Sequence, residues 1–337
     1  MRDFHSKSQP MHFAALTKDI GFTVLDIGAR GGVSQDFNVI QPAVDFVLFE
    51  PDPEERARLE QAPPPVCRSI RYIPHAVGER EHDFTLNLYR QRGCSSRFQA
   101  DETLGNRFAR GEYYLLDDQV TVHALPLDTI LSDAGIDSPA FLKIDIQGME
   151  IEGFSGAKRA LAESLVGIRT EVSFFPIYKG QPLFAEVDQH LRAFGFAPMH
   201  WLEFHEWRRT TRAKYPKLSQ GPLPYSRGQM IHADVLYLLQ PEDLPDDTDE
   251  QLKRLVRLGI ASACFDQLDH AYATFSLPRV REYCRRIAGL DPVDTVISYS
   301  DMRARQRFSW KDHLIRLLLG KSRKNTFSEQ LPSPSTR

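Results

Sequence analysis

The chain has 337 residues, of which 42% are hydrophobic and 26% charged, so its composition is that of a folded globular protein rather than a disordered one. Lys and Arg total 42 against 45 for Asp and Glu, a net charge of −3, which argues against a nucleic-acid binder. The 4 cysteines form no C-x-x-C pair, so we expect neither a zinc ribbon nor a disulfide scaffold, and no metal site. With no signal-type apolar stretch and no run of about 18 apolar residues, we expect a cytoplasmic protein without a membrane span.

Strand and helix patterns alternate in the first part of the chain. Short apolar runs at 23–27, 44–49 and 70–77 predict strands, and 53–61 predicts a helix that begins at a proline. Residues 31–42 leave room for another short helix. This alternation favours an α/β fold with a parallel sheet.

The middle of the chain adds two strands of a different type and then resumes the alternation. Residues 83–89 and 119–125 alternate with period two, as half-buried strands do, and the segment between them looks like a loop. The elements predicted next are a buried strand at 140–146, a helix at 149–164, a strand at 166–172, a helix at 185–194, and extended runs at 196–202 and 232–239.

A change of composition divides the chain. Residues 241–249 are acidic and interrupted by proline, which is typical of a boundary. The predicted organisation has four parts: a lead at 1–19, an α/β domain at 20–240, a helical extension at 250–320 and a disordered tail at 321–337.

A glycine turn and a later carboxylate point to a nucleoside. The segment 24-VLDIGARGG-32 places Asp26 at the end of a strand and Gly28, Gly31 and Gly32 in the turn that follows. Glycines allow a sharp turn and a close approach of a ligand to the backbone. Glu50 ends the next strand, where a carboxylate can accept hydrogen bonds from both ribose hydroxyls. An ordinary helix entry is the alternative interpretation of the turn.

The glycine spacing distinguishes between two cofactors. The dinucleotide pattern G-x-G-x-x-G would need glycines at positions occupied by Arg30 and Val33. The observed D-x-G-x-x-G-G instead resembles the first motif of S-adenosylmethionine-dependent methyltransferases. That likeness assigns cofactor contacts to Asp26, Gly28, Arg30, Gly31, Gly32 and Glu50, with Asp26 near the charged amine and sulfonium.

A second constellation extends the resemblance to a family. Residues 141–157 read FLKIDIQGMEIEGFSGA, in which Asp145 ends a strand and Glu150 opens a helix. This segment resembles the hallmark L-K-I-D-x-E-G-x-E of the FkbM family of methyltransferases, followed by the small pair Gly156-Ala157. Further family-like pieces are Phe49-Glu50-Pro51-Asp52-Pro53, Ala76-Val77-Gly78, Ser95-Ser96 and Leu127-Asp128-Thr129-Ile130.

The resemblance covers about residues 20–240 and carries functional expectations with it. It implies a class I methyltransferase fold, Rossmann-like, and an O-methyltransferase that uses S-adenosyl-L-methionine on a hydroxyl of a glycan, sugar-containing or other small acceptor. Two residues depart from the family pattern: Gln147 replaces the usual glutamate, and Arg30 stands where a small polar residue is usual. The alternatives are a nicotinamide-dependent oxidoreductase and a non-catalytic module that retains the nucleoside pocket.

Three residues are candidates for the general base that methyl transfer to a hydroxyl needs. Asp145, which would also contact the cofactor, is the first, with capping of the helix at Met149 as its alternative role. Glu171 is the second, and its alternative is a buried ion pair with Arg169 or a neighbouring Lys. His200, in the aromatic segment 200-HWLEFHEWRR-209, is the third, and core packing is the alternative for that segment.

The expected partners are an acceptor molecule and no nucleic acid. Residues 303–324 combine eight basic residues with an apolar side, a pattern typical of a helix on an anionic membrane surface or of a docked terminal helix. The sequence does not define the oligomeric state.

Overall fold

The computed structural model describes residues 11–63, 65–108, 110–209 and 227–307. In these ranges the strands are β1 (Thr23–Ile27), β2 (Asp45–Phe49), β3 (Ser69–Ile73), β4 (Ala76–Val77), β5 (His82–Tyr89), β6 (Leu116–Leu125), β7 (Phe141–Ile144), β8 (Gly167–Ser173), β9 (Ala197–Trp207) and β10 (Gln229–Leu238). The α-helices are α1 (Met11–Ile20), α2 (Pro53–Gln61), α3 (Glu102–Arg107), α4 (Leu127–Asp133), α5 (Glu150–Ser155), α6 (Lys158–Glu163), α7 (Phe184–Arg192), α8 (Asp249–Cys264), α9 (Leu268–Ser276), α10 (Pro278–Ala288) and α11 (Pro292–Arg307).

The main sheet has seven strands in the order β3-β2-β1-β7-β8-β10-β9. The first five are parallel, and β10 runs antiparallel to both β8 and β9. Leu25 in β1 lies between Val47 of β2 and Leu142 of β7. Parallel strands covered on both faces need side chains that can be buried on both, which explains the continuous apolar runs. The prediction of a mostly parallel sheet flanked by helices is confirmed.

A second sheet of three strands, in the order β4-β6-β5, forms beside the first. The predicted strand 70–77 is divided between the two sheets, because β3 ends at Ile73 and Pro74 has no N–H to continue a ladder. In β5, Phe84, Leu86 and Leu88 alternate with more polar residues and share one face.

Three predicted elements differ from the structure. The helix expected over 149–164 is two helices, α5 and α6, because Gly156 packs against the Gly78 carbonyl and Asp128 caps α6 by accepting from Arg159 N at 2.7 Å. The segment between the predicted strands 83–89 and 119–125, expected to be a loop, contains α3. Asp101 caps the first turn of this helix. The extended run expected to end at 202 continues as β9 to Trp207.

The helices after residue 248 share one hydrophobic core with the sheet. Phe265 stacks on Phe141 of β7, with ring centroids 5.1 Å apart, and Arg257 of α8 donates to the Ile20 and Gly21 carbonyls. The helical region expected after the sheet is present as α8 to α11. The domain boundaries proposed from the sequence stay predictions.

Parts of the predicted C-terminal features lie outside the described residues. These parts are the tail at 321–337 and residues 308–324 of the basic segment. Within that segment, Arg303 pairs with Asp266 of the same chain. Among the helices in the described ranges, none is long and apolar enough to cross a membrane.

Candidate active site

The carboxyl ends of β1, β2 and β7 open into a cavity of about 400 Å³. This one space is lined by Gly28 and Gly31 of the glycine turn, by Glu50 after β2 and by Asp145 after β7. Gly32, which was expected to contact the cofactor, is not part of the lining. The structure therefore brings together two motifs that are separated by about a hundred residues of sequence. A ligand at the carboxyl edge of parallel strands is the general arrangement of open α/β sheets.

Gly28 connects the glycine turn directly to the end of β7. Its φ is +85°, and a Cβ built on it would lie 2.1 Å from the carbonyl oxygen of Asp145. Its N–H donates to the Phe49 carbonyl at 3.2 Å, which also holds the turn against β2. Gly31 differs, because a Cβ there would meet no atom within 4 Å, so this part of the turn borders open space.

Glu50 is 5% exposed and lies beside the glycine turn. Its Oε1 accepts a hydrogen bond from Asp52 N at 3.0 Å. Burial raises the pKa of the Glu50 carboxyl, and the Asp52 N–H and the charge of Arg30 partly offset that rise. Arg30 also lines the cavity and pairs with Asp52 at 2.8 Å.

Asp26 lies below the cavity rather than in its lining. The residue is fully buried, and its Oδ1 accepts from Lys143 Nζ at 2.8 Å. Burial raises the pKa of the Asp26 carboxyl, while the charge of Lys143 lowers it. Lys143 does line the cavity, so Asp26 affects the cavity only indirectly, by pairing with the Lys143 ammonium.

Asp145 lines the cavity and is hydrogen-bonded to Gln147 two residues later. Gln147 Nε2 lies 2.8 Å from Asp145 Oδ1 and 3.4 Å from Glu171 Oε1. Asp145 does not cap the helix that follows, since Met149 is the N-cap residue and no side-chain cap is formed there.

Glu150, rather than Asp145, stabilises the turn before this helix. Its Oε1 accepts from Ile146 N at 3.1 Å and Gly148 N at 3.2 Å, which closes the turn between β7 and α5. Burial, followed by the charge of Glu171, raises the pKa of the Glu150 carboxyl to about 8.

Glu171 lies behind Gln147 and outside the cavity lining. Its Oε2 is 2.8 Å from His232 Nδ1, although the two atoms are not aligned as a hydrogen bond. Burial and then the charge of Asp145 raise the pKa of the Glu171 carboxyl well above its ordinary value. The alternative pairing with Arg169 does not form, because that guanidinium pairs with Asp36, Asp234 and Glu203.

The structure does not bring His200 to the cavity. It is an exposed residue of the edge strand β9, and no residue of the segment 200–209 belongs to the cavity lining. Trp201 packs with Phe174 and Phe184, with centroids 5.5 and 5.2 Å away. His205 stacks on His232, with ring centroids 4.2 Å apart.

Several lining residues were not proposed from the sequence. Lys143 could have been recognised from the sequence, because it is the one charged residue of the otherwise apolar strand β7. The wall formed by Phe84, Leu86 and Leu88 of β5 had none, since alternation alone does not say which element a strand will face. In the described ranges, no group of three or more His, Cys, Asp or Glu side chains could hold a metal ion.

A mostly parallel sheet with a glycine turn and two strand-end carboxylates around one cavity defines a ligand-binding α/β protein. The family model described as "Methyltransferase FkbM domain" matches residues 26–198, half of the chain. The chain belongs to the FkbM methyltransferase family, which makes it a methyltransferase and sets aside the oxidoreductase alternative.

Two similar proteins illustrate the relationship. The chain is 28% identical over 170 residues to the 2-O-methyltransferase NoeI of Sinorhizobium fredii (strain NBRC 101917 / NGR234), a match over 49% of this chain and 69% of that protein. A crystal structure of methyltransferase FkbM from Methylobacillus flagellatus KT is 15% identical, with a TM-score of 0.34, over 65% of this chain. The match spans 44% of that protein's chain, less than half of its length.

Proposed function

We propose that this methyltransferase transfers the methyl group of S-adenosyl-L-methionine to a hydroxyl of a glycan, sugar-containing or other small-molecule acceptor. The observation that supports this proposal best is the single cavity shared by Gly28, Gly31, Glu50 and Asp145. Such a reaction needs three parts around one space: a glycine turn, a carboxylate that can bind ribose hydroxyls, and a candidate base.

The residues of the cavity fit this methyl donor. Gly31 borders open space where any side chain would intrude, so the turn can accept the amino-acid end of a ligand. Glu50 is a buried carboxylate whose Oε1 already has a backbone donor, and ribose hydroxyls would supply further donors to it. Phe84, Leu86 and Leu88 offer an apolar wall against which a flat base can pack. When bound, S-adenosyl-L-methionine supplies an electrophilic methyl carbon on a sulfonium.

In this proposal Asp145 accepts the proton of the acceptor hydroxyl as the new O–C bond forms and the methyl carbon–sulfur bond breaks, which would leave S-adenosylhomocysteine as the second product. The carboxylate is suited to the task by its position in the cavity wall, beside the end of the glycine turn. Gly28, Gly31 and Glu50 orient the donor, and alignment of the reacting atoms lowers the barrier by up to about 7–11 kcal/mol. Lys143, held by Asp26, contributes a fixed positive charge to the same wall.

The acceptor proposal is supported by the kind of reaction named for a relative. NoeI is a 2-O-methyltransferase, an activity that places a methyl group on an oxygen. A hydroxyl acceptor also accounts for a carboxylate in the cavity wall, because an alcohol is a poor nucleophile until its proton is removed.

Donor binding is tested by isothermal titration with S-adenosylhomocysteine, the demethylated product. Glu50→Gln should weaken binding by about 1.5–3 kcal/mol, because a hydrogen bond to a charged group is lost. Glu54→Gln removes a nearby exposed carboxylate and should leave the affinity unchanged. Because its pKa is raised, Glu50 becomes protonated at a higher pH than an ordinary glutamate, so wild-type affinity should fall toward acidic pH. Absence of binding by the folded wild type would refute the proposed donor.

Transfer is tested with labelled S-adenosyl-L-methionine and a panel of free sugars, methyl glycosides and oligosaccharides. Asp145→Asn should lower turnover by about 10²–10⁴-fold, a far larger factor than its effect on S-adenosylhomocysteine affinity. Asp133→Asn, an exposed acid at the end of α4, is the matched control. Full activity of Asp145→Asn would show that another group takes the proton.

A further inference from the structure

The side chain of Gln147 lies between the carboxyl groups of Asp145 and Glu171. Its Nε2 is 2.8 Å from Asp145 Oδ1 and 3.4 Å from Glu171 Oε1, and its Oε1 is 2.8 Å from the Tyr178 hydroxyl. An amide nitrogen carries two N–H donors, so both carboxyl oxygens can be served by one group. The reversed amide would turn its oxygen toward the Asp145 carboxylate, which accepts hydrogen bonds, so this carboxylate favours the orientation with Nε2 toward it.

The backbone under this side chain is held in an unfavourable conformation. Gln147 has a φ of 54°, in the left-handed region, and Gly148 follows at 103°. Ser96 Oγ donates to the Gln147 carbonyl at 2.7 Å, and Glu150 closes the same turn from the other side. Left-handed backbone at a residue with a side chain persists only where the surroundings enforce it, and such positions are concentrated at functional sites.

Charge explains why an amide is useful at this position. The groups whose ionisation responds to the charge of Asp145 come from β1, β7, α5, β8, β10 and two loops: Asp26, Lys143, Glu150, Glu171, His232, Tyr178 and Cys94. A glutamate at position 147 would add another carboxylate within hydrogen-bond distance of two existing ones. Glutamine donates to both without adding charge.

We propose that Gln147 is a positioning residue, whose amide orients the Asp145 carboxylate toward the acceptor hydroxyl while Tyr178 and Ser96 hold Gln147 in place. The role rests on the proposed function of Asp145 as the base. Gln147 also lines the cavity next to Asp145, and its proposed role is carried by the hydrogen bond from its Nε2 to that carboxylate. The departure from the family glutamate is, on this account, a part of how this chain holds its base.

The first experiment does not depend on a donor or an acceptor. Protein labelled with ¹³C at aspartate carboxyls is titrated by NMR, and Asp145→Asn identifies the resonance of Asp145. Gln147→Met keeps the length of the side chain but removes its N–H donors, so the Asp145 carboxylate loses a bond that favours the ionised form. The Asp145 titration should then move upward by about one pH unit, and further in Gln147→Glu, which adds a negative charge.

Two further variants separate positioning from a general structural effect. Tyr178→Phe frees Gln147 Oε1 but leaves the Nε2 bonds, so its titration should move in the same direction by less than Gln147→Met. Gln189→Met replaces an exposed glutamine of α7 that is not part of the cavity lining, and it should titrate as wild type. If folded Gln147→Met and Gln147→Glu both titrate as wild type, the proposal is overturned.

The kinetic arm uses whichever panel sugar the wild type methylates. Gln147→Met should lower kcat about tenfold or more, with the acid limb of the kcat profile moved to higher pH, and should leave the affinity for S-adenosylhomocysteine unchanged. A parallel loss of donor affinity would mean that Gln147 contacts the donor directly or only maintains the fold of the turn, and either result contradicts the positioning role. Failure of the wild type to bind donor would refute the proposed function but leave the NMR result to decide the role of Gln147.

Discussion

Replacement of Gly28 by alanine should destabilise the protein more than the same change at the other two glycines of the turn. A Cβ at position 28 would lie 2.1 Å from the Asp145 carbonyl oxygen, which belongs to the backbone and cannot swing away. The φ of +85° adds a left-handed penalty of about 1–2 kcal/mol. Overpacking of a fixed neighbour costs about 1–3 kcal/mol, so we expect a total of about 2–5 kcal/mol in free energy of unfolding.

Alanine substitutions at the two neighbouring glycines separate the cost of a positive φ from the cost of a steric clash. Gly32 has a φ of +80°, but its nearest atom would be Leu59 Cδ2 at 3.8 Å, so Gly32→Ala should cost only the conformational penalty of about 1–2 kcal/mol. Gly31→Ala meets no atom within 4 Å and has no positive φ, so its stability should change by less than about 0.5 kcal/mol. Because Gly31 borders the cavity, that same variant should still bind S-adenosylhomocysteine more weakly than wild type.

Urea denaturation followed by circular dichroism measures all three variants against wild type. The order expected for the loss of stability is Gly28 first, then Gly32, then Gly31. If Gly28→Ala unfolded within about 0.5 kcal/mol of Gly31→Ala, the close packing of the glycine turn on the end of β7 would be refuted.

Two further predictions concern buried charges of the same site. Lys143→Met leaves Asp26 without its ionic partner and should cost about 3–5 kcal/mol in urea denaturation, against no measurable change for exposed Lys158→Met; equal stability would contradict the buried pair. Glu150 has a pKa of about 8 in the folded protein against 4.5 ordinarily, so the folded state holds a proton that the unfolded chain releases between those values. Stability should therefore fall as pH rises from about 4.5 to 8, by at most about 5 kcal/mol. Glu150→Gln should flatten this dependence and exposed Glu79→Gln should not, and an unchanged slope in Glu150→Gln would refute the assignment.

The sequence was sufficient for the elements whose signals are local. The helix α2 begins at Pro53 with the Asp52 side chain as its cap, and both features can be recognised from residue types alone. The strands β1 and β2 were recognised from continuous apolar runs, and Gly28 from the turn between a strand and the segment that follows. The family pattern then placed Glu50 and Asp145 at the edge of one sheet, where the cavity lies.

Element boundaries and positions that depend on contacts between distant parts of the chain could not be predicted in the same way. The break between α5 and α6 is caused by the approach of Gly156 to the Gly78 carbonyl, almost eighty residues earlier in the chain. His200 is of a residue type suited to catalysis, but strand order decides that β9 is the edge strand. The wall from β5 is equally a product of how the second sheet packs against the first.

The charged side chains of the central strands need an explanation beyond the stability of the fold. Parallel strands covered on both faces are normally apolar, and burying an ion pair seldom stabilises a protein over packed hydrophobic residues. Yet Asp26, Lys143, Arg169 and Glu171 lie in three adjacent strands, β1, β7 and β8, within two residues of register of one another. The residues at the opposite ends of these strands, such as Val24 and Phe141, are fully buried and apolar. A stability requirement alone would favour apolar residues throughout these strands. Lys143 lines the cavity and Asp26 holds its ammonium, so this pair is best explained by the chemistry of the cavity.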